Sequence, residues 1–296
     1  MPSFRAPQSQ SEHAVSQKIA LGKGRHDHRN DGQIHSVGTA RGYGQALKGV
    51  AAYQQEHRLG DLRTVTIEIA RQYLAHRAAM VSQKTLDLDR QAFQMHLGVR
   101  LDVVKSEKET HLSTRSYTPA QVERIASAQS ARNSLATRIA SCAGLRAHEL
   151  LTIRPAQERP ASSHREWRAE RFAGRDGERY TVAGKGGLVR EVLLSRELAV
   201  RLEATRLVEP RPVTDRGVKY PHYYDLAGGR AWSQSFSAAS QRELGFSHGA
   251  HGLRHSYAQE RMDELQRSGM NYETAKGTVA QEVGHFDQET TEVYLR

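Results

Sequence analysis

The chain has 296 residues, 38% hydrophobic and 26% charged, which is long enough for two ordinary domains, each with its own core. Forty-three Lys and Arg stand against 33 Asp and Glu, and the resulting +10 favours a polyanionic partner where it clusters, since each neutralised phosphate releases condensed counterions. No window approaches the roughly 18 apolar residues of a membrane span and no secretory signal is evident, so an intracellular protein is expected; Cys142, the single cysteine, excludes an intramolecular disulfide and a cysteine-based zinc cluster.

Residues 1–38 are rich in Gln, Ser, Gly, His and basic side chains, as in the run from Gly22 to Arg29, and are expected to form a flexible basic arm. His26, His28 and His35 have no ordered framework for a metal, so a solvated tail is expected there. From Thr39 the apolar spacing becomes helical. Tyr43, Leu47, Val50 and Tyr53 mark one helix; Thr64 or Thr66 can cap a second carrying Ile67, Ile69, Ala70, Tyr73 and Leu74; a third begins at Ser82 with Leu86, Leu88, Phe93 and Leu97. Residues 39–101 thus read as a helical module, and the charged, aperiodic segment 102–116 as a linker.

The second domain, 117–296, opens at Thr118-Pro119, a cap followed by proline at the first helical position. A helix is expected from Ala131 to Ala143, with Cys142 a small packed residue beside it. Beyond Pro155 the pattern turns strand-like at Trp167 to Phe172, Arg179 to Val182 and Val189 to Leu194, joined by turns at Gly174-Arg175-Asp176-Gly177 and Gly184-Lys185-Gly186-Gly187. After Ser195 helices are expected throughout. The fold class is therefore mainly α with a small antiparallel sheet in the second domain.

Chemistry-bearing residues concentrate in the last fifth of the chain. His251-Gly252-Leu253-Arg254 is followed 31 residues after the arginine by His285, and nine residues later by Tyr294. Arg146 at a helix end and Lys185 on a glycine-rich hairpin tip complete the set. In order and spacing these residues resemble the tyrosine recombinases, the phage-integrase-like site-specific recombinases. The resemblance covers nearly everything from Thr39 onward: Gly144-Leu145-Arg146-Ala147-His148-Glu149-Leu150 is similar to the first arginine motif, Gly184-Lys185-Gly186 to the hairpin lysine, His251-Gly252-Leu253-Arg254-His255-Ser256 to the His-x-x-Arg motif, and Val283-Gly284-His285 with Tyr294 to the closing box. Each motif alone is weak; four in order are not.

The resemblance implies an N-terminal core-binding domain and a catalytic domain that close on duplex DNA, acting as a tetramer on paired sites. It also implies Tyr294 as nucleophile, a 3′-phosphotyrosyl intermediate, Lys185 as the acid that protonates the leaving 5′ oxygen, and no cofactor or metal. Elementary chemistry agrees. Attack on a phosphodiester gathers negative charge on non-bridging oxygens, and the planar guanidiniums of Arg146 and Arg254 can each meet two of them. His251 and His285 are expected to donate to the phosphate, His251 also exchanging a proton with Tyr294. Glu149 is expected to buttress the site, His148 and His255 to be neighbours, and Trp232 to be core.

The expected function is site-specific recombination or integration for a mobile element, in the cytoplasm and associated with the nucleoid. A topoisomerase-like or telomere-resolving relative would use the same chemistry; a non-catalytic DNA-binding accessory protein is the contrasting class. The short stretch after Tyr294 leaves open how protomers would dock on one another.

Overall fold

The computed structural model describes residues 6–21, 31–109, 114–286 and 289–295, with the Lys185 side chain excepted. The chain divides into two compact units, Met1–Leu112 and Ser113–Arg296.

The first unit is helical: α1 (Pro7–Ser16), α2 (Val37–Glu56), α3 (Ile67–Ala78) and α4 (Gln83–Leu97). Its core gathers Leu47, Val50, Leu74, Leu86 and Phe93, the residues whose spacing marked the helices. Thr66 caps α3 by accepting from the Ile69 N–H, and Gly98, in the left-handed region, closes α4.

Two expectations for this unit need correction. Much of the expected flexible arm is folded: α1 packs on α2, and Val15 and Ile34 are buried in the same core. Two well-placed apolar anchors suffice where periodicity is too weak to register; the run Gly22 to Arg29, with His26 and His28, lies outside the described residues. The expected linker likewise begins as part of the first unit, because Ser106 bonds to Val81 and Gln83 and the Glu107 N–H donates to Ala78 O.

The second unit starts with α5 (Pro119–Ser127), where Thr118 and Gln121 form a full capping box, and α6 (Ala131–Ala143). A 3₁₀ turn, Glu149–Leu151, leads to a three-stranded antiparallel sheet of β1 (Arg154–Pro155), β2 (Glu178–Ala183) and β3 (Val189–Leu194) in that spatial order. Then come α7 (Arg196–Glu203), a separate hairpin of β4 (Arg206–Asp215) and β5 (Val218–Tyr224), and the helices α8 (Gly229–Leu244), α9 (Gly252–Arg267), α10 (Tyr272–Glu282) and the single turn α11 (Glu289–Glu292). Trp232 lies in the core with its Nε1 donating to Thr137, and burial raises the pKa of the Cys142 thiol.

Here too the structure departs from expectation twice. Trp167 to Phe172 is not a strand: the Arg168 and Phe172 N–H groups donate to the side chains of Gln281 and Glu282 instead of to a neighbouring strand. The β4–β5 hairpin interrupts the expected all-helical stretch. Pro210 and Pro212 cannot supply helical N–H donors, and the chain pairs as a ribbon turning at Arg216-Gly217. Among the described residues no helix is long and apolar enough to cross a membrane.

Candidate active site

The site is assembled by chain reversals at helix ends. After α6, Gly144 takes a left-handed conformation (φ 59°) and a side chain there would meet the Tyr257 ring at 2.7 Å, so only glycine delivers Arg146 from this corner. The 3₁₀ turn that follows folds Glu149 back: its carboxylate accepts from the Arg146 N–H at 2.8 Å and from Arg146 Nη1 at 2.9 Å. Arg190 on β3 donates from Nη2 to the same carboxylate at 2.7 Å and from Nη1 to the Glu282 carbonyl at 2.6 Å. Arg254, in the first turn of α9, donates from Nη1 to Gly144 O at 2.7 Å and from Nη2 to Val283 O. One guanidinium thereby ties the Arg146 corner to the end of α10.

That end is the second reversal. Gly284 (φ 73°) lies against Arg190, where an added Cβ would come within 2.8 Å of Cδ, and the His285 N–H donates to Ala280 O. His285 Nε2 then lies 2.9 Å from Arg146 Nη2 and 3.4 Å from Arg254 Nη2. Tyr294, just past α11, brings its hydroxyl 3.2 Å from His251 Nε2, its ring 5.4 Å from that of His285 and 4.8 Å from that of His255, with the Arg254 guanidinium carbon 5.4 Å from its centroid. The segment is held by Gln259 Nε2 donating to Tyr294 O and by Lys276 Nζ, 3.0 Å from Glu292 Oε1.

The electrostatics follow from crowding cations away from water. Burial and the surrounding guanidiniums lower His285 to about 3, with Arg254 and Arg146 the nearest contributors, and burial with Arg254 lowers His251 to about 4. Both imidazoles are neutral near pH 7. His285 Nε2 accordingly accepts from the arginines, and its buried Nδ1 has no partner among the described residues. Burial and repulsion by Arg146 bring Arg254 down to about 9, still protonated at neutral pH. Burial opposes the Glu149 charge, but Arg190, Arg146 and Arg254 overcome it and hold the carboxyl well below the usual carboxylate range.

Five of the six residues expected from sequence, Arg146, His251, Arg254, His285 and Tyr294, thus meet in one place. The backbone of Lys185 sits at the tip of the β2–β3 hairpin; its side chain lies outside the described residues. Arg254 is fully buried and Tyr294 is 7% exposed, whereas the Arg146 side chain keeps 22% of its surface open. Arg190 was not anticipated. Its burial shows only in the structure, where β3 places Arg190 in phase with the buried Val192 and Leu194 and a charge requires a partner; the sequence, apolar at Val189 and Leu193 as well, does not single out that face.

Cations, neutral imidazoles and a phenol together can bind an anionic centre, strengthen as negative charge grows on it, and present an oxygen nucleophile next to a proton acceptor. Both Glu149 oxygens are engaged by arginine, which leaves it a counter-charge.

No family model and no curated protein sequence matches the chain. Solved structures do. The XerH site-specific recombinase bound to a palindromic difH substrate, a post-cleavage complex, aligns over 99% of this chain and 94% of its own at 16% identity, with a TM-score of 0.58. A lambda integrase dimer bound to a COC′ core site aligns over 99% and 95% at 14% identity and a TM-score of 0.55. The Tn1549 transposon integrase in complex with transposon right end DNA aligns over 97% and 95% at 15% identity and a TM-score of 0.51. Over nearly its whole length, this chain has the tyrosine-recombinase fold.

Proposed function

We propose that the protein is a site-specific DNA recombinase, serving a mobile element, that cuts and rejoins strands through a covalent 3′-phosphotyrosyl intermediate. The observation that carries this reading is the Tyr294 hydroxyl 3.2 Å from a neutral His251, beside a pocket of two guanidiniums that share His285.

In this mechanism a backbone phosphate first meets Arg146, the open guanidinium, and displacement of the Tyr294 ring uncovers Arg254. The two arginines donate to the non-bridging oxygens, and His285, taking up a proton as the phosphate arrives, turns Nε2 from acceptor to donor toward it. His251 accepts the phenolic proton as the Tyr294 oxygen bonds to phosphorus; the bond from phosphorus to the 5′ oxygen breaks, and that oxygen takes a proton from Lys185. The phosphotyrosyl ester conserves the bond energy, so a second 5′ hydroxyl reverses the step without a nucleotide cofactor. The helical first unit acts as the core-binding half, and protomers work as tetramers on paired duplex sites. Solved relatives with this fold include a lambda integrase tetramer bound to a Holliday junction.

The test is a panel of nicked suicide duplexes carrying candidate attachment sites. A covalent protein–DNA adduct forms with the native chain and is absent with Tyr294→Phe. An adduct that persists in that variant removes Tyr294 as nucleophile, and no adduct on any site removes the enzyme.

A further inference from the structure

The connection from β1 to β2, residues 156–177, is unusually long for a link between adjacent antiparallel strands and contains no helix or strand. It is nevertheless firmly fixed. Gln281, in the last turn of α10, grips it with both ends of its amide, Oε1 accepting from the Arg168 N–H at 2.7 Å and Nε2 donating to Glu166 O at 3.1 Å. Glu282 accepts from the Phe172 N–H at 2.7 Å. Trp167 packs edge-on against Phe286, 5.1 Å between centroids, and donates from Nε1 to Ser162 O. The strap is thus tied to the helix end that carries His285, and Phe286 is the next residue along.

The strap contains five arginines, and they divide into two groups. Arg159, Arg171 and Arg175 are used internally: Arg159 donates to Thr152 O and Thr181 O, Arg171 to Glu191, and Arg175 to Glu264. Arg165 and Arg168 have no acidic partner among the described residues. Arg165 is exposed and sits with its guanidinium carbon 4.7 Å above the Phe286 ring, itself 37% exposed. A long loop that is ordered by side-chain clamps, yet sets an exposed Arg165 beside an exposed aromatic and leaves the half-buried Arg168 without an acidic partner among the described residues, has the composition of a nucleic-acid contact.

We propose that Arg165 and Arg168 bind the DNA backbone at phosphates flanking the one held by Arg146 and His285, with Phe286 fixing the direction of the Arg165 guanidinium. This rests on the DNA-cleaving role proposed above and adds a second anchoring point for the same strand. Phosphate contacts carry no sequence information, so any B-form duplex serves as probe.

The experiment compares the full chain with its R165Q/R168Q and R165K/R168K variants, measuring affinity for a mixed-sequence duplex by fluorescence anisotropy across a salt series. Loss of two phosphate contacts lowers the slope of log affinity against log salt by about 1.8 in the glutamine variant. The lysine variant, which keeps the charges, retains the native slope. An unchanged slope in the glutamine variant overturns the proposal, as does an equal fall in both variants, which would trace the effect to the strap's packing. Failure of the cleavage reading shows separately, as absence of an adduct with the native chain on suicide substrates.

Discussion

The second unit buries two glutamates among arginines, and they behave differently. Glu282, 1% exposed, accepts from Tyr257 Oη at 2.8 Å, from Arg261 Nε and Nη2 at 2.9 and 3.0 Å, and from the Phe172 N–H. Around it, Arg261 and Arg175 are balanced by Glu282 and Glu264. Glu149, also fully buried, is the one acidic group among the described residues that meets Arg146 and Arg190, with Arg254 nearby. The first cluster is closed and holds the fold. The second carries positive charge in excess of the acidic groups among the described residues, and that excess adds to burial in lowering the histidines beside it. In the proposed mechanism the DNA phosphate supplies the missing anion.

The contrast predicts opposite responses to substitution. Removing the Glu282 charge in Glu282→Gln leaves the buried Arg261 with Glu264 alone and should destabilise the protein by about 1–3 kcal/mol in chemical denaturation. A variant as stable as the native chain would show that this cluster is no more closed than the other. Arg254→Ala should instead act on chemistry, slowing single-turnover adduct formation by about 10² to 10³-fold while duplex binding is largely kept. Parallel loss of binding would make Arg254 chiefly an architectural tie between Gly144 and Val283.

Two weaker effects concern pH. The Glu149 pKa is depressed in the fold, so its contribution is fully present above the unfolded value of about 4.3 and is lost as pH falls through the folded one. The stability gap between native and Glu149→Gln protein should therefore be level at neutral pH and close under acid; a gap that widens below pH ~4 would reverse the sign. The smallest effect comes from His285, lowered to about 3. Its contribution is present above the unfolded value of about 6.5 and lost as pH falls toward the folded one. A phosphate against Nε2 favours the imidazolium, so DNA binding should take up protons between about pH 5 and 7, read by calorimetry in buffers of different ionisation enthalpy. Absence of uptake in the native chain, or uptake undiminished in His285→Gln, would break the link between surplus charge and anion binding.

Much of the local structure was legible because its causes are local. Thr118 with Gln121 and Thr66 mark helix starts through caps that depend on a few adjacent residues, Ser82 stands at the start of α4 without a side-chain cap bond, and α6 ends where Gly144 follows Ala143. The β2–β3 hairpin was visible in alternation around a glycine-rich turn. The fold of α1 onto α2 was not, since Val15 and Ile34 are single anchors with no period to detect. Trp167 and Phe172 have strand-forming composition, but side chains from α10, more than a hundred residues away, satisfy the neighbouring N–H groups. Pro210, Pro212 and the Arg216-Gly217 turn did signal the β4–β5 ribbon, and the expected run of helices overlooked them.

By itself the sequence determined which residue types are available for the proposed chemistry and in what order: Arg146, Lys185, His251, Arg254, His285 and Tyr294, with glycines at the corners that only glycine can turn. Tertiary structure alone decided that Arg190 completes the Glu149 cluster, that Arg254 lies sealed beneath Tyr294, and that the histidines are neutral. The physical reason is that caps and turns depend on neighbours in sequence, whereas burial, ion pairing and proton affinity depend on neighbours in space, which are set only when distant helix ends come together.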